Sequence, residues 1–261
     1  MASESARQAQ IEFSLEEMIH HSSPDVMKLA AQHPQLTEEL ALSFLTRRDL
    51  APVALEALSK RGDLLKHRKV SVAIAGHAKT PRHVALPIVR RLFTFELMQL
   101  ALLPAVTADI KLVAEEVIVG RLASISSGER LTLAKQASSR VAAALLLDSE
   151  TRIVQAALTN PRLTESWIIR SLMRPEADVL LIDLVCKHPK WSLRREIQTA
   201  ILRNANTPFG RILQIAPLLP MRMLRDVLKT SKVAPEAQSY LERMLETRRD
   251  SKNVDYRRDE P

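Results

Sequence analysis

Cysteine is almost missing from this chain: Cys186 stands alone, so no internal disulfide can form, and its neighbours Val185 and Lys187 offer neither a CxxC pair nor metal-ligand spacing. That economy fits a reducing compartment, and a cytoplasmic location is the expectation. Aromatic residues make up only 3% of the chain and glycine occurs five times. A core therefore has to come from Leu, Ile, Val and Ala, a mixture that suits helix-on-helix packing better than a sheet. Gly62, Gly76, Gly120, Gly128 and Gly210 are scattered singly, which excludes GxGxxG and GxxxxGK phosphate loops, and no G-x-S-x-G elbow occurs. Long apolar runs are missing too. Leu97 to Val106, broken by Gln99, and Val141 to Leu147 fall far short of the roughly 20 residues that span a bilayer. The stretch from Met1 to Phe13 lacks the basic start and apolar run of a signal peptide. Neither export nor membrane insertion is expected.

What is present is a chain of 261 residues, 46% of them hydrophobic, enough for a large core in one elongated domain or two compact ones. Its 38 Lys and Arg against 30 Asp and Glu give a formal charge of +8. An excess of that sign permits an acidic partner: nucleic acid, a phospholipid surface or an acidic protein. It is equally what a mixed, solvated surface carries.

The dominant pattern is self-similarity. The chain aligns with itself, without a gap, at an offset of about 127 residues. His33-Pro34-Gln35-Leu36-Thr37-Glu38 falls on Asn160-Pro161-Arg162-Leu163-Thr164-Glu165, and in the same register Lys60 meets Lys187, Arg68 meets Arg195, Ala73-Ile74 meets Ala200-Ile201, and Thr80-Pro81 meets Thr207-Pro208. Within each half a shorter period of about 44 residues runs from Val26, Val70, Ile153 and Ile197 to His33, His77, Asn160 and Asn204 and on to Thr37, Pro81, Thr164 and Pro208. That is a helix end, a tight turn and a new helix start. Asn at such an end tolerates the left-handed conformation, a following Pro cannot continue the helix, and Thr or Pro opens the next one. His188-Pro189-Lys190-Trp191-Ser192 writes a related turn.

Between the halves, Ile110, Val113, Ala114, Val117 and Ile118 are spaced for an amphipathic helix within Thr107 to Ala123. Ser14 with Glu17, and Ser126 with Glu129, have capping-box spacing. Val141 to Leu147 is apolar all round and reads as a buried helix. The expected organisation is an N-terminal cap over 1–24, a first repeat module over 25–106, connecting helices over 107–149, a second module over 150–246 and a disordered charged tail over 247–261.

The turns written HPQLT, NPRLT, HPKWS and NANTP resemble those of HEAT and armadillo repeats, and look closer still to the leucine-rich repeat variant proteins of bacteria, over roughly residues 25 to 232. The resemblance implies an all-α fold, a right-handed superhelix of stacked short helices with an internal duplication, and use as a binding scaffold. The segments RHVALPIVRRLFTFELMQLALLPAV and SSRVAAALLLDSETRIVQAALTNPRLTESWIIRSLMRP look similar to bacterial helical-repeat proteins without an assigned activity, which implies a bacterial source. Some leucine-rich repeat variant proteins hold an iron–sulfur cluster on an N-terminal cysteine-rich segment. No cysteine precedes Val26 here, so no cofactor is carried over.

Reactive constellations are scarce. Of the seven histidines, His33, His77 and His188 occupy turn positions, and His20-His21 is adjacent instead of being spaced by a helical turn, so no metal site is expected. Cys186 lies in the apolar run Leu184-Val185-Cys186 and reads as a small hydrophobe. DNA glycosylases for alkylated bases share the HEAT-like fold, and Trp167, Trp191, Asp183 and Glu196 amid Arg170, Lys187, Lys190, Arg194 and Arg195 are the parts such an enzyme would use. Trp167 stands against Leu40 and Trp191 against Leu64 in the other copy, which suits packing or turn roles, so a non-enzymatic protein is expected.

Three basic positions recur: Arg47 with Arg174, Lys60 with Lys187 and Arg68 with Arg195. In a solenoid, equivalent positions share a face, so these, with Lys190 and Arg194, make the candidate partner-binding surface. The expected function is a scaffold that binds a protein or peptide on a partly basic concave face. The alternative is nucleic-acid binding along the same groove, with a glycosylase as its remote extension. Basic side chains that merely cover apolar seams would give the same sequence.

Overall fold

Apolar residues at three- and four-residue spacing, with caps between them, give helices throughout. The computed structural model describes the backbone of residues 13–230 and 235–258 and the side chains of 13–229 and 235–249. Every regular element among the described residues is a helix. The chain divides into two compact units, 1–124 and 125–261.

The first unit holds α1 (Leu15–His20), α2 (Pro24–Gln32), α3 (Glu38–Leu45), α4 (Pro52–Ser59), the single turn α5 (Gly62–Leu65), α6 (Arg68–Gly76), α7 (Arg82–Val89), α8 (Thr94–Leu102) and α9 (Ala108–Arg121). Most helices pack on a neighbour or on the helix after that, and α3 reaches past α4 and the single turn α5 to pack on α6. One layer runs α1–α3–α6–α8; in the other, α2 packs on α4 and α7 on α9. Such alternation lets helices too short to be stable alone bury one stripe against the same layer and another against the opposite one. Ala30, Ala41, Ala54 and Ala85, all fully buried, keep the layers close, with Phe44, Leu55, Leu58, Leu97 and Leu100 filling the seam.

The second unit holds α10 (Ser127–Gln136), α11 (Ser139–Leu145), α12 (Thr151–Leu158), α13 (Glu165–Leu172), α14 (Val179–Lys187), α15 (Arg195–Arg203), α16 (Phe209–Ile215), α17 (Met221–Thr230) and α18 (Pro235–Arg258). Here α11, α13, α15 and α17 form one layer; in the other, α10, α12 and α14 stack and α16 packs on α18. The expected buried helix is α11, with Val141, Ala142, Ala143 and Leu145 all buried. Both capping boxes form: the Glu17 carboxylate accepts the Ser14 N–H at 2.8 Å and the Glu129 carboxylate that of Ser126 at 3.0 Å. These N–H groups, helped by the Ser hydroxyls, hold both carboxyls below their usual range.

Helix limits recur at the offset read from sequence. Glu38–Leu45 answers Glu165–Leu172, Arg68–Gly76 answers Arg195–Arg203, and α9 starts opposite α18. Hydrogen bonds recur with them. Thr80 Oγ1 donates to the Ile74 carbonyl at 2.6 Å, and Thr207 Oγ1 to the Ile201 carbonyl at 2.6 Å. Arg121 donates to the Leu92 and Arg90 carbonyls at 2.7 and 2.8 Å, and Arg248 to those of Leu219 and Pro217 at 2.8 and 2.6 Å. The Leu65 carbonyl takes the Ser71 hydroxyl and the Ser192 carbonyl takes the Gln198 amide, the same acceptor position served by different donors. In these bonds a side chain from further along the chain serves a carbonyl near a helix end or in the turn after it, groups that have no intrahelical partner.

Three expectations change. The turn residues do not enter the left-handed region: no described residue has positive φ, and His33, His77, His188 and Asn204 are extended. The side chain makes the turn instead. His33, His77 and His188 Nδ1 accept the N–H two residues on at 3.2 Å, and Asn160 and Asn204 Oδ1 do so at 2.8 and 2.7 Å. This is an Asx-type turn that imidazole imitates, so Asn and His can stand in for one another. Second, the segment 107–149 is divided between the units: α9 packs on α7 and α8, whereas α10 and α11 belong with α12. Third, the charged end is not irregular as far as Arg258. No Gly or Pro interrupts the sequence after Pro235 up to that residue, and Arg248 ties the helix to the carbonyls of 217 and 219.

Candidate binding surface

The layer α3–α6–α8 opens into a cleft of about 910 Å³ in the first unit, lined by Leu45 to Arg48, by Arg68, Lys69, Val72, Ala73 and Gly76 to Ala78, and by Glu96, Gln99 and Leu103 to Ala105. Its floor is aliphatic and its edge basic. Gly76 lets the end of α6 approach α8: a Cβ there would stand 3.3 Å from Leu100 and 3.5 Å from Leu103.

The cations around this cleft differ in their engagement. Arg47 grips Asp49 through two hydrogen bonds of 3.0 and 2.6 Å and donates to the carbonyls of Ile19 and, at 2.9 Å, His21 at the end of α1. That guanidinium holds the Asp49 carboxyl below its usual range. Arg68 pairs with Glu96 through Nε at 3.0 Å and through Nη2, with its guanidinium 3.9 Å from the centroid of the exposed Phe93 ring. His77 accepts the Lys79 N–H at Nδ1, so its proton sits on Nε2, which donates to the Arg47 carbonyl at 2.8 Å. Arg48 and Lys69 differ. Both are exposed and neither has an ion-pair partner among the described residues.

Burial opposes ionisation of Glu96, but the Arg68 guanidinium and the Phe93 N–H together outweigh it and keep the carboxyl below its usual range. A carboxyl depressed in this way adds stability that is complete above its unfolded value and is lost as pH falls through the folded one. Glu96→Gln keeps an acceptor for the Phe93 N–H and removes the charge. Its expected cost at neutral pH is below about 1 kcal/mol for so partly exposed a pair, and the stability difference from wild type should shrink as acid urea titrations pass below the folded value.

Lys60 lies elsewhere. It is exposed on a smaller cleft of about 370 Å³ shared with Glu56, His83 and Arg91. In the second unit Arg174, Lys187, Arg194 and Arg195 are exposed, without ion-pair partners among the described residues. Lys190 Nζ sits 4.0 Å from the Trp191 ring centroid. The eight sequence-derived positions therefore split. Arg47 and Arg68 are engaged within the fold, Lys60 borders a separate cleft, and those of the second unit stand open.

Of the residues an alkylated-base glycosylase would use, two are engaged within the fold, while Glu196 is exposed and Trp167 is half-buried with the Arg170 guanidinium 5.1 Å from its ring centroid. Trp191 is buried, its indole N–H donating to the Leu158 carbonyl at 2.9 Å, and Asp183 pairs with Arg211 at 2.8 Å. Cys186 is half-buried, and burial pushes its thiol up. Among the described residues no cluster of His, Cys, Asp and Glu could hold a metal ion, and no helix is long and apolar enough to cross a membrane.

Sequence reading missed Arg48 and Lys69 because it followed recurrence. The signal was nonetheless there: Pro175 stands at the offset position of Arg48 and Glu196 at that of Lys69. The chain matches no protein-family model, no curated protein and no solved structure.

Proposed function

We infer that this protein is a non-enzymatic scaffold of the α-solenoid type, related to HEAT and armadillo repeats, that arose by duplication of an ancestral helical module and holds a protein or peptide partner on a basic face. The alternate stacking of short helices supports the solenoid reading. The duplication is supported by hydrogen bonds that return at the same offset even where the donor has changed, as with Ser71 and Gln198. The observation that carries the function is the cleft of the first unit, whose edge retains the unpaired cations Arg48 and Lys69 while neighbouring basic residues are bonded into the frame.

A photo-crosslinking amino acid at Val72, in the cleft wall, is expected to capture a discrete partner protein in extracts of the source cell. The same group at Lys28, exposed on α2, should capture none. Products that vanish on nuclease treatment would favour the second reading, a phosphate backbone held by Lys187, Arg194 and Arg195, exposed cations without ion-pair partners among the described residues. Retention on heparin that falls with salt would point the same way. Equal labelling from both positions overturns the assignment of this face.

A further inference from the structure

We propose that the cleft between α3, α6 and α8 of the first unit takes an acidic peptide segment of a partner protein, seating an aliphatic side chain on Val72, Ala73 and Leu103 with flanking carboxylates on Arg48 and Lys69. The inference rests on the scaffold reading above and names the chemistry of its partner.

Two independent comparisons lead to it. First, several hydrogen bonds of the frame repeat between the units, and the residues that open and charge the cleft do not. At the offset positions, Gly76 becomes Arg203, whose Nε is buried without a partner, Arg48 becomes Pro175 and Lys69 becomes Glu196. Thr80 and Arg121 have counterparts in Thr207 and Arg248 that make the same bonds, whereas Gly76, Arg48 and Lys69 have no like residue at the offset positions. Second, the cleft is amphipathic in a way that selects among anions. Leu103 is 42% exposed at its wall, and the lining contains no Phe, Tyr or Trp on which a base could stack, the nearby Phe93 ring being covered on one face by the Arg68 guanidinium. Glu96 and Arg68 in the same wall neutralise one another, so the rim's net charge rests on Arg48 and Lys69 alone, two separate cations instead of the continuous row that tracks a phosphate backbone. Two unpaired cations above an apolar floor fit a short acidic motif around one apolar anchor. A cleft of about 910 Å³ accommodates several side chains.

The test is a selection from a phage-displayed library of random peptides, each about 12 residues long, on the immobilised full chain, followed by fluorescence anisotropy with the enriched peptide. Enriched sequences are expected to carry Asp or Glu on either side of a Leu, Ile or Met. Arg48→Glu with Lys69→Glu should weaken the enriched peptide by at least about tenfold, and raising salt should weaken it as well. Both residues are exposed, so unchanged far-UV circular dichroism is expected. Ala105→Trp, which fills the apolar end from an exposed turn, should also weaken it, whereas Lys28→Glu with Lys66→Glu, exposed on the same unit outside the cleft, should not. If acidic peptides bind but are lost only on reversing Arg194 and Arg195, the scaffold reading stands and this cleft assignment is overturned. If no peptide class is enriched while duplex DNA is retained, both readings fall together.

Discussion

Asn160→Ala is expected to destabilise the second unit by about 2–4 kcal/mol, because three backbone groups depend on one buried amide. Asn160 is 2% exposed. Its Nδ2 donates to the Ala134 and Ala137 carbonyls at 2.8 and 3.1 Å, closing the end of α10, and its Oδ1 accepts the Arg162 N–H at 2.8 Å, making the turn into α13. Truncation strands all three. Asn160→Asp keeps the turn acceptor but turns a carboxylate toward two carbonyl oxygens, so it should cost at least as much as alanine. Asn160→His should be mildest, at about 1–2 kcal/mol, since imidazole can accept at Nδ1 and donate once from Nε2, as His77 does. Both tryptophans, Trp167 and Trp191, lie in the second unit, so urea unfolding followed by their fluorescence reads that unit directly. An aspartate variant as stable as wild type, or a histidine variant worse than alanine, would refute this account of the turn.

The same residue marks how far the sequence could be read. Helix limits were legible because they rest on local chemistry. Thr37 caps α3, paired Ser and Glu cap α1 and α10, and apolar spacing sets each buried stripe. The interchange of His33 with Asn160 and of His77 with Asn204 was visible as well. Its reason was not, because nothing local says whether Asn bends the backbone to positive φ or bonds the N–H two residues on. The charged end was less legible for a comparable reason: Arg248 ties α18 to carbonyls about 30 residues upstream, a partner that composition does not reveal, and residues 259–261 of the expected tail lie outside the described residues.

The binding surface was less legible. Recurrence drew attention to Arg47 and Arg68, which are bonded into the fold of the first unit, whereas their counterparts Arg174 and Arg195 stand exposed, so a recurring residue type did not carry a recurring role. Adjacent helical residues point about 100° apart. Lys69, next to an arginine bonded within the fold, was thus free to face outward, and Arg48 beside Arg47 does the same just past the end of α3.

Trp191 offers the sharpest test of that frame, since it combines two tasks that separate residues perform in the first unit. There Leu64 fills the space below the turn and Arg61 donates to the Ala31 and His33 carbonyls at 3.5 and 2.8 Å, held in place by Asp63 at 2.9 and 2.6 Å. Leu158 stands at the offset position of Ala31, and its carbonyl takes the Trp191 indole N–H. His188 and Lys190 stand opposite Arg61 and Asp63 and supply neither that donor nor its brace. Trp191→Ala should therefore cost about 3–5 kcal/mol, losing both the buried ring and the donor. Trp191→Leu keeps an aliphatic filler and loses the donor, at an expected cost of about 1–3 kcal/mol. Adding His188→Arg and Lys190→Asp to Trp191→Leu rebuilds the first unit's arrangement in the second and should return about half or more of that loss. Urea midpoints from Trp167 fluorescence, checked by far-UV circular dichroism, decide the matter: a triple variant no more stable than Trp191→Leu alone would mean that the two turns are not versions of one structure.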